Sequence, residues 1–391
     1  MTSIAASVVI VSQGRPDWLK RALASLRYQV NVTFEVIVVA DNSSINASRG
    51  VGPVRFIPCA ERNLSLARNL GIAAARGAVV AFLDDDAVAF PTWLARLAAP
   101  VTEGAASWST GPVRREDGWK IEWNPSLVNE LGEDIPMMAE NACPAPPLKA
   151  IGTNMAFDRA ALLAAGGFDE SFKFFLEDAD ISRVLYMAGH RGRACDAEVV
   201  HGFAPGFHRR RHRVPKSLYQ IGASKAYFLK KHAPPAAFSA AWERFAAAQR
   251  RRLLRQMLAG RIDPFAVPRL MKTLEAGRED GLERTPRHAL HAKHVRRQEA
   301  GPDLAALRPA ASWEIVVLDP REMGGRSSAV AKAVVLAAEG VPVLFGPLKA
   351  RRPFLRFRLM TEDSGFWEWS AGRTLPEAPP PWLRRQFQAE A

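Results

Sequence analysis

The most constraining feature of this chain is an alternation within its first 90 residues, where short apolar runs end in polar turns and give way to segments of helical period. "SVVIV" (7–11) has strand length and ends at "SQGRP". From Asp17 onward Trp18, Leu19, Ala22, Leu23 and Leu26 recur at helical spacing, with Pro16 at the start, so a helix follows. "FEVIVVA" is a second buried strand ending at a polar turn, "DNSS". "VRFIP" is a short third strand, and "LSLARNLGIAAA" is a helix closed by Gly77. "AVVAFL" is the fourth strand. Strands alternating with helices predict an α/β fold with a Rossmann-like, mostly parallel sheet flanked by helices. Such sheets bind ligands beyond the carboxyl ends of their strands, so "SQGR", "DNSS" and the end of the fourth strand should line one crevice.

The fourth strand runs directly into Asp84, Asp85 and Asp86. Adjacent carboxylates repel one another, and partial desolvation makes that costly unless a cation or hydrogen-bond donors offset the charge. In an extended segment Asp84 and Asp86 point to one side and Asp85 to the other. A divalent cation, Mg²⁺ or Mn²⁺, held by one or two carboxylates and completed by water and phosphate oxygens accounts for the pattern. The alternative is a solvated acidic turn in which Asp86 caps a helix in "AFPTWL". The position after a buried strand favours the cation.

Net charge is +13 and unevenly placed. Residues 1–200 hold 19 Lys+Arg against 23 Asp+Glu, and residues 201–391 hold 34 against 17. A uniformly basic nucleic-acid binder would not show that split, so the front half is expected to carry chemistry and the back half surface attraction. No nucleic-acid partner is expected. The 3 cysteines are too few and too scattered for a disulfide framework or a zinc site. No apolar run approaches the roughly 18 residues that span a bilayer, and the first residues lack a signal-peptide pattern, so the expected location is cytoplasmic.

Five blocks, "SVVIVSQGRPDWLKRALASL", "FEVIVVADNSS", "NLSLARNLGIAAARGAVVAFLDDDA", "GTNMAFDRAALLAAGGFDESF" and "FLEDADISRVLYMAGHR", resemble in this order the successive blocks of family 2 nucleotide-sugar glycosyltransferases of the A-type fold. The resemblance covers about the first 200 residues and fades beyond about residue 235. It implies an inverting, metal-dependent transfer from a nucleoside-diphosphate sugar to a saccharide or lipid-linked acceptor, in cell-surface polysaccharide or glycolipid assembly.

The resemblance also implies roles for particular residues. Asp41 would meet the imide edge of uracil or thymine, although Ala40 stands where the family often has a second acid, which leaves the base open; a simple turn-forming Asp41 is the alternative. Arg68 would pair a phosphate of the nucleotide, a salt bridge being its alternative. The first-strand loop departs from the family pattern, yet Ser12, Gln13 and Arg15 are candidates to contact base or diphosphate, as is Asp85. Asp86 would bind the metal and Asp84 the ribose or a metal-bound water. Asp178 would be the base that takes the acceptor proton, with Glu177 beside it at the donor or acceptor; a structural role in a helix's first turn is the alternative. His201, at the end of the strand expected in "AEVVHGF", would be a further metal ligand, and an imidazole suits Mn²⁺ better than Mg²⁺. Asn154 would face donor sugar or acceptor. Trp119 and Trp123 are candidates to stack on a sugar ring, packing being the alternative.

The expected organisation is a catalytic domain over 1–215, a basic helical extension over 216–300 and a small C-terminal α/β appendage over 301–391. Residues 205–297 carry 22 Lys+Arg against 6 Asp+Glu. In "SAAWERFAAAQRRRLLRQMLAG", Trp242, Phe245, Gln249, Leu253 and Met257 follow one helical face while Arg244, Arg251 and Arg255 follow another. Such a helix either lies on an anionic membrane surface, making the enzyme peripheral at the inner face, or packs on the catalytic domain. The Gln-x-x-Arg-Trp block of processive members is missing: "QRRRL" at Gln249 lacks the tryptophan, which favours adding one sugar per encounter. "WEIVVLDPREMGGRSSAVAKAVVLAAEGVPVLFGP" reads as strand, Gly-rich turn, helix, strand. Two other classes compete. A nucleotidyltransferase shares the sheet and metal aspartates but wants a basic, Gly-rich first loop, and a nucleic-acid binder explains the charge but not the acidic crevice.

Overall fold

The computed structural model describes residues 4–27, 29–50, 52–116, 120–137, 146–288 and 290, together with the backbone of four strands beyond residue 315. The expected alternation is present as β1 (Ala6–Ser12), α1 (Pro16–Leu26), β2 (Phe34–Ala40), α2 (Asn42–Ser48), β3 (Val54–Pro58), α3 (Leu64–Ala74) and β4 (Val79–Asp84). β1 pairs in parallel with β2 and with β4, and β2 with β3. β2 is buried along its whole length, as a strand covered on both faces must be. Alternate residues feed two cores. Val8, Ile10, Val36 and Val38 join Leu19, Leu23 and Trp93 on one side; Val9, Ile37 and Val39 join Ile72, Phe82 and Met155 on the other.

Two local expectations differ. "DNSS" is not merely a turn: Asp41 accepts the N–H groups of Ser43 and Ser44, each at 3.0 Å, and so caps α2. α3 ends at Ala74, before Gly77. Gly77 instead lets its backbone lie against Ala6, where a side chain would collide, and donates its N–H to Ser7 Oγ at 2.9 Å.

The chain then leaves the main sheet and returns to it. β5 (Ala87–Ala89), α4 (Trp93–Thr102), β6 (Trp108–Thr110), β7 (Val113–Arg114), β8 (Ile121–Trp123), β9 (Leu127–Val128), β10 (Asp134–Ile135), β11 (Asn154–Asp158), α5 (Arg159–Ala164), α6 (Glu177–Met187), β12 (Gly192–Ala194) and β13 (Val199–His201) follow. The main sheet has the order β12-β6-β11-β4-β1-β2-β3, with β11 antiparallel to its two neighbours. A second sheet has the order β5-β13-β7-β8. Because β4 belongs to the first sheet and β5 to the second, Asp84–Asp86 form the corner where the chain passes between them. Gly166 and Gly167, both at positive φ, end α5 as expected.

The basic region forms α7 (Tyr219–His232), α8 (Phe238–Leu258) and α9 (Ala266–Glu283). On α8, Trp242 and Leu253 are buried and Phe245 and Met257 pack beside them, while Arg244, Arg251 and Arg255 are exposed. α7 and α9 approach closely at Gly222 and Gly277, where a side chain on either would strike the facing backbone. Tyr227 and Phe228 of α7 share a core with Phe172, Leu176 and Ala179, so the extension packs directly onto the front of the chain.

Beyond residue 315, β14 (Val316–Leu318) pairs in parallel with β15 (Val343–Phe345), and β15, β16 (Leu355–Met360) and β17 (Phe366–Ala371) pair antiparallel. A parallel pair requires a crossover, which suits the expected strand, helix, strand order. The helix of that reading lies outside the described residues. The β16–β17 hairpin was not foreseen.

Candidate active site

The strand register brings the polar ends together: Ser12 pairs with Ala40, and Val11 with Asp84. At the corner after β4, Asp84 and Asp86 turn toward His201 at the end of β13, with one ligand-type atom from each within 4.8 Å of the others. His201 Nε2 lies 3.1 Å from Asp86 Oδ1 and 3.7 Å from Asp84 Oδ2. The imidazole and the Asp86 carboxylate approach without hydrogen-bond alignment, and both buried ring nitrogens of His201 lack a hydrogen-bond partner among the described residues. Two carboxylates and an imidazole directed at one point, with the imidazole unsatisfied, fit a divalent cation. Asp84 is the open member, its side chain 37% exposed, whereas Asp86 is buried.

Two arginines balance the acids. Arg15 reaches Asp85 Oδ1 at 2.5 Å and Asp86 Oδ2 at 3.3 Å. Arg209 reaches Asp86 Oδ2 at 3.2 Å, and the Ala204 N–H donates to the same oxygen at 2.7 Å. Burial alone would raise Asp86, but His201, Arg15 and Arg209 together hold it below the usual carboxylate range. Asp85 behaves oppositely. Its burial, with Asp86 and Asp84 alongside, pushes it up to about 7 against the pull of Arg15 and Ser12. Trp123, 39% exposed, stands with its ring 5.5 Å from that of His201.

Asp178 comes from the first turn of α6, which is entered through Phe175 and Leu176, both at positive φ (75° and 67°). Non-glycine residues in that region store strain, and strain of this kind clusters at functional loops. Asp178 is half-buried, and its carboxylate accepts the N–H groups of Gly152 at 3.1 Å and Ala179 at 2.8 Å. Asn154 of β11 pairs with Leu83, so the Gly152 turn lies alongside the carboxyl end of β4. Burial alone would lower the Lys149 ammonium, but the charges of Asp178 and Asp134 outweigh it and raise it, so a cation stays beside the carboxylate.

Against this geometry, residues 7–163 match the family described as glycosyl transferase family 2. The match covers less than half of the chain. Asp84, Asp85 and Asp86 fall inside the match, and Asp178 and His201 beyond it. The chain is 33% identical over 107 residues to the succinoglycan biosynthesis protein ExoM of Rhizobium meliloti (strain 1021), across 25% of this chain and 34% of that protein. The match thus spans about a third of the relative's length. Among solved structures, GalNAc-T7 with UDP, GalNAc and Mn²⁺ is 16% identical with a TM-score of 0.47, covering 59% of this chain and 48% of that one. TarS of S. aureus is 16% identical with a TM-score of 0.38, covering 63% and 43%. Likeness at that level carries no argument about function.

Several residues expected to face substrate are engaged elsewhere. Arg68, 2% exposed, donates to Glu177 Oε1 at 2.8 Å and to the Gly152 carbonyl at 3.0 Å; it ties the Gly152 turn to the start of α6, the salt bridge expected as its alternative, and is not open to a phosphate. Glu177 is correspondingly buried, and that burial raises it despite Arg68. Asn154 is fully buried: its Oδ1 accepts from Trp93 Nε1 at 2.8 Å and its Nδ2 donates to the carbonyls of Pro112 and Ala197. It ties α4 to the loops before β7 and β13 and does not face a sugar. Ser12 Oγ donates to Asp85 Oδ2 at 2.7 Å, and both are buried, so this pair fixes the β1 loop from beneath. Gln13 donates to the Glu61 carbonyl at 2.7 Å.

Asp41 caps α2 and also accepts from the Gly14 N–H at 2.6 Å; burial opposes the charge, but these donors hold Asp41 well below the usual carboxylate range. Trp119 lies outside the described residues. Sequence reasoning missed Arg209, hidden among the basic run "HRRRHR". The only signal was proximity to the strand-ending His201.

Proposed function

We propose that this chain is an inverting, cation-dependent glycosyltransferase that moves a sugar from a nucleoside-diphosphate sugar to an acceptor hydroxyl. The observation that carries this reading is the convergence of Asp84, Asp86 and an unsatisfied His201 at the carboxyl edge of the parallel sheet in a family 2 domain. A cation held by these three residues, Mn²⁺ or Mg²⁺, would neutralise the charge that develops on the departing diphosphate. Arg15 and Arg209, which now pair the acids, are placed to turn to diphosphate oxygens as their carboxylates are satisfied otherwise.

Asp178 takes the proton of the acceptor hydroxyl as its oxygen attacks the anomeric carbon. The bond from that carbon to the diphosphate oxygen breaks on the opposite face, which inverts the centre. Gly152 and Ala179 orient the carboxylate, and the Arg68–Glu177 pair positions its loop. Trp123, beside His201, is placed to stack on a sugar. Asp41 remains the candidate for the nucleobase, with its orientation fixed by Gly14, Ser43 and Ser44.

The resemblance to a succinoglycan biosynthesis protein supports a place in cell-surface polysaccharide assembly, and the basic exposed faces of residues 205–297 support a lipid-linked acceptor at an anionic membrane surface. No helix among the described residues is long and apolar enough to cross a membrane. Replacing Asp178 by Asn keeps the shape and removes the proton acceptor: donor binding persists while transfer falls by about 10²-fold or more. In calorimetry a pyrimidine nucleoside diphosphate binds more tightly with Mn²⁺ or Mg²⁺ than with chelator. Equal affinity under the two conditions overturns the cation-dependent reading.

A further inference from the structure

A second concavity lies away from the acidic corner, between the segment after Arg209 and the turn that joins α8 to α9. Its volume is about 390 Å³, and Arg210, Lys216, Arg261, Arg269, Asp263 and Ala266 are among the residues that line it. Arg210, Lys216 and Arg269 form no ion pair among the described residues, and Arg261 meets only the neutral Gln256 Oε1 at 3.2 Å. Asp263, the acid on the wall, accepts the N–H of Ala266, the first residue of α9, at 2.9 Å. Four cations therefore face one carboxylate that is already engaged by the helix.

Leu258 closes α8 and Phe265 precedes α9, so they stand at the two ends of the turn that lines the cleft. Each is 82% exposed, more than any other large apolar side chain among the described residues. Elsewhere on α8 and α9, Trp242, Leu253, Leu270 and Leu274 are turned into the core, and Leu282 is 40% exposed. Two exposed apolar tips flanking a basic cleft without ion pairs among the described residues are what an interfacial anchor presents: apolar groups for the acyl boundary and cations for phosphate headgroups. A nucleic-acid track would instead extend its positive charge along a groove and offer stacking faces.

We propose that the cleft between residues 210–216 and the α8–α9 turn docks the chain on an anionic lipid surface, a headgroup phosphate entering the cleft and Leu258 and Phe265 entering the acyl boundary. Such docking rests on, and deepens, the membrane-facing part of the function proposed above, yet it uses residues outside the transfer chemistry.

Co-sedimentation of the full chain with vesicles of phosphatidylglycerol and phosphatidylcholine, against phosphatidylcholine alone, tests it. The wild type binds the anionic vesicles. Arg261→Gln/Arg269→Gln and Leu258→Ser/Phe265→Ser each weaken that binding about tenfold, with melting temperatures unchanged because all four side chains are exposed. Indifference of the wild type to the anionic lipid, or undiminished binding by both double variants, overturns the docking. So does a wild type whose melting temperature inorganic phosphate raises through the cleft arginines but which no vesicle retains, since the cleft then serves a soluble anion. Sugar transfer to a soluble acceptor needs no membrane and reports on the proposed function alone.

Discussion

Two groups of buried acids invite comparison. At the seam between α7 and the front of the chain, Asp169 and Asp180 meet Lys231, which reaches each at 2.9 Å. His232 pairs Asp180 at 2.7 Å, and the Tyr227 hydroxyl and the Arg287 and Ser171 N–H groups donate to Asp169. Protein donors satisfy every carboxylate there. At the corner after β4 the acids are also crossed by cations, Arg15 and Arg209, but Asp84 stays partly open and the ring nitrogens of His201, 3.1 Å from Asp86, have no hydrogen-bond partner among the described residues. A saturated network is a rivet, while one that leaves a buried imidazole unsatisfied is waiting for a ligand.

Mutation should separate the two clusters. The largest expected effect is at the seam: Asp180→Ala leaves His232 without its carboxylate and Lys231 with Asp169 alone, and breaking a buried network from one side costs about 3 kcal/mol or more of stability in denaturant titration. A loss under about 0.5 kcal/mol would mean that the seam does not hold α7. Next comes Asp84→Ala, which removes a half-exposed carboxylate. Stability should stay within about 0.5 kcal/mol of wild type while Mn²⁺ affinity by calorimetry falls about tenfold or more. Equal loss of stability at the two positions would erase the contrast.

The response to pH sharpens it further. Burial alone would raise Asp169, but Lys231, the Arg287 N–H and the Tyr227 hydroxyl hold it below the ordinary range; burial alone would lower Lys231, but Asp180 and Asp169 hold it above its own. Asp169 therefore contributes stability above about pH 4, lost as pH falls through its depressed folded value. Lys231 contributes below about pH 10, lost as pH rises through its raised one. The contribution of the Asp169–Lys231 pair should be flat between about pH 5 and 9.

His208 differs. Stacked on Phe174 at 3.9 Å, it is pushed down to about 4 by burial and by Arg209, Arg62 and Arg15. Its contribution is complete above the unfolded value of about 6.5 and is lost as pH falls toward 4, so the segment after β13 should loosen while the seam stays firm. Histidine titration by NMR with a midpoint near 6.5 for His208 would remove this smallest effect.

Much of the site was legible because its residues sit where local pattern puts them. The ends of β1, β2 and β4 follow from apolar runs of strand length, and parallel pairing aligns them. Asp85 and Asp86 lie in the turn after β4, not in an extended segment, so it is the corner and not strand alternation that sends Asp85 to Ser12 and Asp86 to His201. Arg68, Asn154 and Glu177 are engaged in ways that spacing did not show, for one shared reason. Each lies on a block of the right kind, yet its side chain is engaged by a partner far along the chain, as in Arg68 with Glu177, 109 residues apart. Spacing reveals which residues reach the edge of a sheet, but not which of their hydrogen bonds are already made.

The sequence by itself determined the alternating α/β framework, the acidic triplet at the end of a buried strand, and the division between an acidic front and a basic back. These are properties of residue order, set by burial period and charge. The tertiary structure alone decided that Asp84 and Asp86 share His201, that Arg209 crosses back to them, and that Asp180 and Lys231 form a closed seam. The physical reason is that local period fixes the face a side chain takes. Which groups meet across that face, and which remain unsatisfied, depends on long-range packing that brings distant charges into one low-dielectric place.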